Sequence, residues 1–430
     1  MAGSSSRLKR FRHLMFGKGA LLAMLLVGAP ALAAVLWKAE SGAGDRSTAS
    51  SRRNSVSSAQ ELSRALNEAS DGDVIALAPG HYPRIVINGV EKTGNVTIAS
   101  ADPARPAVIA SLLVRKSAGL TFRDLELAAT ADAAWTPARR QQSAPAAGAE
   151  PAGGEDERPG GAASRFPFQV VNSQRIVLDR LDVHGPRNDR AAAYWISALM
   201  LRASRDITLS NSRFSTLWHG VAMLRLDGLA IVDNEFRDIR TDGVRGGGIS
   251  NTRIAGNVFT DFHPVPKDHP DGIQLWSTPD GAAMTNIAIH DNLIVRGKGA
   301  PTQGIFIRDV RNKRPFQNLE IRDNLVMGSL YNGIAMNGVQ GGRIVGNEVI
   351  NYPDRKKTWI RVDNCGGIEI KGNRAPFYNV TRSEVDQSGN GTNGLGGVEE
   401  ARHVKQWLDA KPARRRPSSR LQSELTASAS

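Results

Sequence analysis

Phe262-His263-Pro264-Val265-Pro266-Lys267-Asp268-His269-Pro270-Asp271-Gly272-Ile273-Gln274-Leu275-Trp276 is the stretch on which the reading of this chain turns. Its second half contains one copy of a short repeat, x-G-[IV]-x-x. Other copies are His219-Gly220-Val221-Ala222-Met223, Asp242-Gly243-Val244-Arg245-Gly246, Gln303-Gly304-Ile305-Phe306-Ile307 and Asn332-Gly333-Ile334-Ala335-Met336. Only at Phe262–Trp276 does the repeat carry an insertion rich in His, Lys and Asp. A second marker, [IV]-x-[DG]-N-x-[FVI] in most copies, places Asn at 211, 234, 257, 292, 324, 347 and 373, separated by 23, 23, 35, 32, 23 and 26 residues. A base period near 23 with longer excursions fits a solenoid coil of three short strands whose loops leave from one corner. Asn stacked at a corner can take the left-handed conformation and pass amide hydrogen bonds from coil to coil.

Composition agrees. Hydrophobic content of 40% suffices for a core, and 43 Gly with 6% aromatics suit short strands and tight turns. A solenoid grows by stacking, so 430 residues need not be divided into domains. The net charge of +13, from 55 Lys and Arg against 42 Asp and Glu, suggests a polyanionic partner. Part of that excess lies at the ends, in Arg7, Lys9, Arg10, Arg12 and Lys18 and in Arg414, Arg415 and Arg416. No zinc-finger or RNP pattern accompanies it, so nucleic acid is not the expected partner. The single Cys365 rules out an internal disulfide framework and reads as a core residue.

Residues 1–38 combine a basic start, the apolar run Gly19 to Val35 and the small residues Ala31-Leu32-Ala33. That pattern supports a cleaved signal peptide or, counting 19–37, a membrane anchor; either exports the remainder to the periplasm or beyond. Residues 39–57 read as a linker. A capped amphipathic helix follows, with Ser58 and Glu61 at its start and Leu62, Leu66 and Ala69 on one face, and then the strand Val74 to Leu77. Further strand runs cover Val96 to Ile98, Ala107 to Val114 and Leu120 to Leu127. The Pro-, Ala- and Gly-rich segment 131–165 reads as a disordered loop insertion. The solenoid is expected over 58–398, and Glu399 to Ala410 as a helix covering its far end, with a basic tail to 430.

The helix followed by Asp71-Gly72-Asp73-Val74-Ile75-Ala76-Leu77-Ala78-Pro79-Gly80-His81-Tyr82 resembles the N-terminal cap of the pectate lyase-like superfamily, and within it the chondroitinase B and alginate lyase type. The resemblance implies an all-β, right-handed parallel β-helix, here of about ten coils with an N-terminal capping helix. It also implies action on a uronic acid-containing polysaccharide by β-elimination. In that group Lys and Arg share the proton transfers and calcium assists some members.

Aligning the repeat copies gives columns about 4.8 Å apart in the stack. The position before Gly reads His219, Asp242, Asp271, Gln303, Asn332; two after Gly come Ala222, Arg245, Gln274, Phe306, Ala335; two further, Leu224, Gly247, Trp276, Arg308, Asn337. Polar members cluster on three coils, expected on one solvent-facing sheet beneath the overhanging Lys267 and His269. Asp242 and Asp271 on neighbouring coils would repel by roughly 3.5 kcal/mol unless a cation or a shared proton intervenes. Arg245 is one such cation and calcium on the two Asp another, with the pre-Gly Asp as an ordinary turn residue the structural alternative. By analogy with the family, Lys267 is the expected base, His269 the second candidate, and Arg308 or Arg245 the partner. Gln274 and His269 would hold the substrate carboxylate, with His219, Asp242, Asp271 and Trp276 completing the binding groove. His263 and Asp268 share the insertion, while His184 and His290 read as structural. A C5-epimerase, a two-carboxylate glycoside hydrolase using Asp242 and Asp271, and a noncatalytic carbohydrate-binding surface protein remain alternatives, and a monomer is expected.

Overall fold

The structure, a computed structural model, describes residues 53–134, 166–282, 284–310, 312, 315–354, 357–392, 399–410 and 425. The export segment 1–38, most of the linker, nearly all of the 131–165 insertion and the Arg414–Arg416 tail lie outside these residues. Among the described residues no helix is long and apolar enough to cross a membrane.

Among the described residues all strand pairs are parallel and each joins a strand to its equivalent one coil later, giving a 21-stranded and a 12-stranded sheet. The larger sheet contains two columns of strands, merged where strands such as Ser197–Ser210 and His219–Val232 run through a corner without a break. With the smaller sheet these make three strands per coil, and among the described residues the smaller sheet has twelve strands. Ala107 to Val114 and Leu120 to Leu127 each divide at a corner, into Ala107–Ile109 and Leu112–Arg115 and into Ala118–Arg123 and Glu126–Ala128. The first strand, Arg53–Val56, pairs with Val74–Leu77, so the stack begins inside the segment read as a linker.

Inward side chains form one continuous core from Val56 to Ala375. Phe214, Phe236 and Phe259 stack on successive rungs with ring centroids 4.9 and 4.8 Å apart. This stack explains the repeat's glycine. A Cβ at Gly220 would meet Phe236 at 2.8 Å, at Gly243 Phe259 at 2.5 Å, at Gly272 Ile294 at 2.9 Å, at Gly304 Val326 at 2.8 Å and at Gly333 Val349 at 2.4 Å. The glycine is there because a core side chain from the facing sheet and, at Gly220 and Gly304, the backbone oxygen of the next coil fill the space, not because Asp-Gly makes a turn.

The asparagine column is real but differs from expectation in two ways. From Asn234 through 257, 292, 324, 347 and 373 to Asn390, each amide donates to the next side-chain oxygen at 2.9–3.1 Å. Asn211 is not a member: Ser212 takes its rung, its backbone N–H donating to Asn234 Oδ1. The left-handed conformation belongs to the residue before each rung, Asp233, Gly256, Asp291, Asp323, Gly346 and Gly372. A positive φ there turns the chain so that the following Asn points inward.

The N-terminal helix, Ala59–Glu68, lays Leu62 and Leu66 on the first coil's core. Ser58 accepts from Glu61 N–H, while Glu61 accepts from Ser57 and, more weakly, from the Ser58 N–H. The C-terminal helix, Glu400–Asp409, forms where expected but does not cover the end. Val404, Trp407 and Leu408 pack on Val258, Leu293, Val295, Leu325, Met327 and Ile350, the outward residues of the smaller sheet.

Candidate functional site

Strand register confirms the alignment of columns: Val221, Val244, Ile273, Ile305 and Ile334 are consecutive partners, as are Ala222, Arg245, Gln274, Phe306 and Ala335. Trp276 lies between Gly247 and Arg308. Of the residues expected to face solvent, Arg308 is exposed and Arg245 and Gln274 are half-buried, but the two acids are not at the surface. His219, Asp242 and Asp271 are 3%, 2% and 0% exposed, and Gln303 is 7%.

They are buried because they bond to one another along the stack. Ser197 Oγ lies 2.8 Å from His219 Nδ1, and Arg245 Nη1 donates to His219 Nε2 at 2.6 Å while sitting 3.2 Å from Asp242 Oδ2. Backbone N–H of Asp271 donates to Asp242 Oδ1 at 3.1 Å. Asp271 Oδ2 is met by His269 Nδ1 at 2.8 Å and by the Gln274 amide at 2.7 Å. The Gln303 amide reaches His269 Nε2 at 2.5 Å, Asn332 donates to Gln303 Oε1, and Trp359 Nε1 donates to Asn332 Oδ1 at 2.9 Å. One polar chain thus runs from Ser197 to Trp359, and in two neighbouring coils the residue three positions on, Arg245 or Gln274, folds back over the acid.

Electrostatics follow from this packing. Burial pushes the Asp242 carboxyl up to about 7, with Arg245 opposing it. Burial likewise raises Asp271, against the hydrogen bonds from His269 and Gln274. The Asp271 hydrogen bond in turn lifts the His269 imidazole above its ordinary value. His269 is the outlet of the chain to solvent, its side chain 54% exposed. Arg245 also stacks on Trp276, 5.1 Å from the ring centre. Arg308 is exposed at the next rung.

The insertion is fixed by Asp268. Its carboxylate takes both Nε and Nη2 of Arg240 at 2.8 and 3.0 Å, and Arg240 is held over Trp195 at 4.2 Å and Trp218 at 5.5 Å. This pair delivers His269 to the column. Lys267 sits exposed at the loop's tip, and among the described residues no hydrogen bond or ion pair joins it to the column. His263 lies 3.5 Å from Asp238, His184 bonds Glu126 at 3.0 Å and His290 bonds Asp291 at 2.8 Å, all apart from the column.

Calcium requires six to eight oxygen ligands. Donors and cations already occupy Asp242 and Asp271 Oδ2, only the buried Asp271 Oδ1 lacks a partner, and no group of three or more His, Cys, Asp or Glu able to hold a metal occurs among the described residues. The column does not fit the ion.

Ser197 was missed because Ser197-Ala198-Leu199 lacks the repeat's glycine; its register with His219 is the signal that finds it. Gln303 and Asn332 stood in the aligned column without a role, and Trp359 was hidden by an irregularity in register between Asn332 and Ile334.

Residues 194–379 match the family model described as the right handed beta helix region. The chain is a right-handed parallel β-helix. No curated protein matches it in sequence. Among solved structures it is similar to an alginate lyase from Paenibacillus (14% identity, 80% of this chain and 97% of that one, TM-score 0.38). It is also similar to a surface adhesin of Streptococcus pneumoniae (11%, 79% and 93%, 0.46) and to the A-module of a mannuronan C-5 epimerase of Azotobacter vinelandii (11%, 81% and 98%, 0.38).

Proposed function

We propose that this β-helix is an exported lyase that cleaves a uronic acid-containing polysaccharide by β-elimination, with His269 as the base. The observation that carries the reading is the half-exposed His269 imidazole held by buried Asp271 at 2.8 Å. With its Nδ1 proton directed to Asp271, Nε2 is the basic nitrogen and needs only the Gln303 amide to move aside. It would take the proton beside the substrate carboxylate; the C–H pair becomes the ring double bond, and the glycosidic oxygen leaves with its electrons. Charge builds meanwhile on the carboxylate, and exposed Arg308, with Arg245 and Gln274 behind it, supplies compensation. Lys267, exposed at the loop tip, would protonate the leaving oxygen rather than serve as base. Export rests on the basic and apolar pattern of residues 1–38.

Hydrolysis by Asp242 and Asp271 is a weaker reading, because both carboxyls are sealed from a glycosidic oxygen. The test is ultraviolet absorbance of the unsaturated uronate while the exported domain is offered alginate, pectate, glucuronan and glycosaminoglycans. His269→Gln should slow the rise by about 10²–10⁴-fold. Because Asp271 raises His269, the rate should climb with pH above the ordinary histidine range as the imidazole loses its proton. Solvent deuterium entering the polymer without absorbance would make the same base an epimerase's. Binding with neither signal would leave a carbohydrate-binding protein.

A further inference from the structure

Beyond Gln303 the column changes character. Asn332 pairs with Trp359, and Ile360 N–H donates to Phe377 O, placing Phe377 on the following rung. Tyr331 and Phe377 are 52% and 44% exposed, two of only five large hydrophobic residues so exposed among those described. The Tyr331 and Trp359 rings lie 5.4 Å apart at 33°. Tyr331 adopts φ +59, a conformation that bulky residues avoid, next to the irregularity at Asn332 and Ile334, and its N–H donates to the backbone of exposed Lys357. The core gains nothing from holding an aromatic ring outward in this way.

We propose that Tyr331, Trp359 and Phe377 form a stacking subsite for the sugar rings of the acidic polysaccharide, with Lys357 meeting its carboxylates. The inference rests on the lyase reading for its substrate class. Aromatic rings exposed to this extent suit the C–H face of a pyranose. Three rungs separate Trp359 from Asp271, about 14 Å, a span that a few linked sugars bridge from the subsite to His269. The bonds from Trp359 through Asn332 and Gln303 to His269 tie the platform to the base's own hydrogen-bond partner.

The test is calorimetric titration of alginate, pectate and glucuronan oligomers of increasing length into the protein carrying His269→Gln, so that turnover is slowed below the time of a titration. Adding Tyr331→Ala should weaken the longer oligomers about tenfold, or about 1.4 kcal/mol, and leave the shortest unchanged. Tyr331→Phe should restore the affinity, and Trp359→Phe provides a second variant that keeps a ring in place of the indole and should reproduce part of the loss. Equal affinity of long oligomers for Tyr331→Ala and its parent would overturn the subsite even with lyase activity established, as would failure of every oligomer to bind. Length-dependent loss without activity on any polymer would instead keep the subsite and remove the lyase reading.

Discussion

Replacing Asn292 by Ala removes the centre of the asparagine column, and the structure sets the cost. Asn292 Oδ1 accepts from both the backbone N–H and the side-chain amide of Asn257 at 3.0 Å, and its own amide donates to Ile254 O and Asn324 Oδ1 at 2.9 Å. Asn257, Asn292 and Asn324 are all 0% exposed, so water does not replace these bonds. After the change Asn257 Nδ2 keeps Ile231 O, and Asn324 Oδ1 keeps the Asn292 N–H, but the Asn257 N–H loses its acceptor. One stranded buried donor at about 1–3 kcal/mol and three lost but partly compensated bonds at about 1 kcal/mol each give about 4–6 kcal/mol. Asn390→Ala is the internal control: that last rung is half-buried, water can replace its bonds, and the cost should be about 1–2 kcal/mol. Equilibrium urea unfolding of the three proteins, with slopes compared alongside midpoints, reads both values. A loss below about 1 kcal/mol at Asn292, or equal losses at the two positions, would refute the view that the buried column holds successive coils together.

Two further measurements probe the other columns. Gly243→Ala places a methyl 2.5 Å from the Phe259 ring and 2.9 Å from Gly272 O, so thermal or urea unfolding should show a loss of about 1–3 kcal/mol from overpacking. Asp242, raised by burial from 3.8 to about 7, binds a proton in the folded state that the unfolded chain releases, so its stabilisation is complete below pH 3.8 and disappears as pH rises through about 7. Asp242→Asn should flatten that fall in stability with pH, and an unchanged slope between parent and variant would show that Asp242 titrates normally.

The coil period, the three strands per coil and the vertical alignment of Arg245 with Gln274 were legible because each depends only on spacing and on the fixed distance between parallel strands. What escaped depended on neighbours far away in sequence. Gly243 reads as a turn residue until Phe259 is seen to fill its place. Asn211 resembles a ladder member until Phe214 and Phe236 align and put Ser212, not Asn211, level with Asn234. The C-terminal helix has an apolar face that sequence reveals, but its position depends on Leu293, Val295, Leu325 and Met327 pointing outward from the smaller sheet. Runs such as Leu293–Val295 are buried at every residue, so alternation cannot mark which side faces the core.

The candidate site was half legible for a related reason. If each coil is a separate surface, Asp242 and Asp271 are two exposed carboxylates about 4.8 Å apart, which require Arg245, another cation or a shared proton. Stacking changes the problem, since every residue in the column has a neighbour above and below. Arg245, Gln274 and the Asp271 N–H supply the donors that an ion would otherwise have replaced. The acids are therefore placed to orient rather than to react, and His269, carried in on the loop that Arg240 and Asp268 hold, extends from them into solvent. An insertion of a few residues on one coil can in this way add a reactive group to a column whose other members are fixed by the stack.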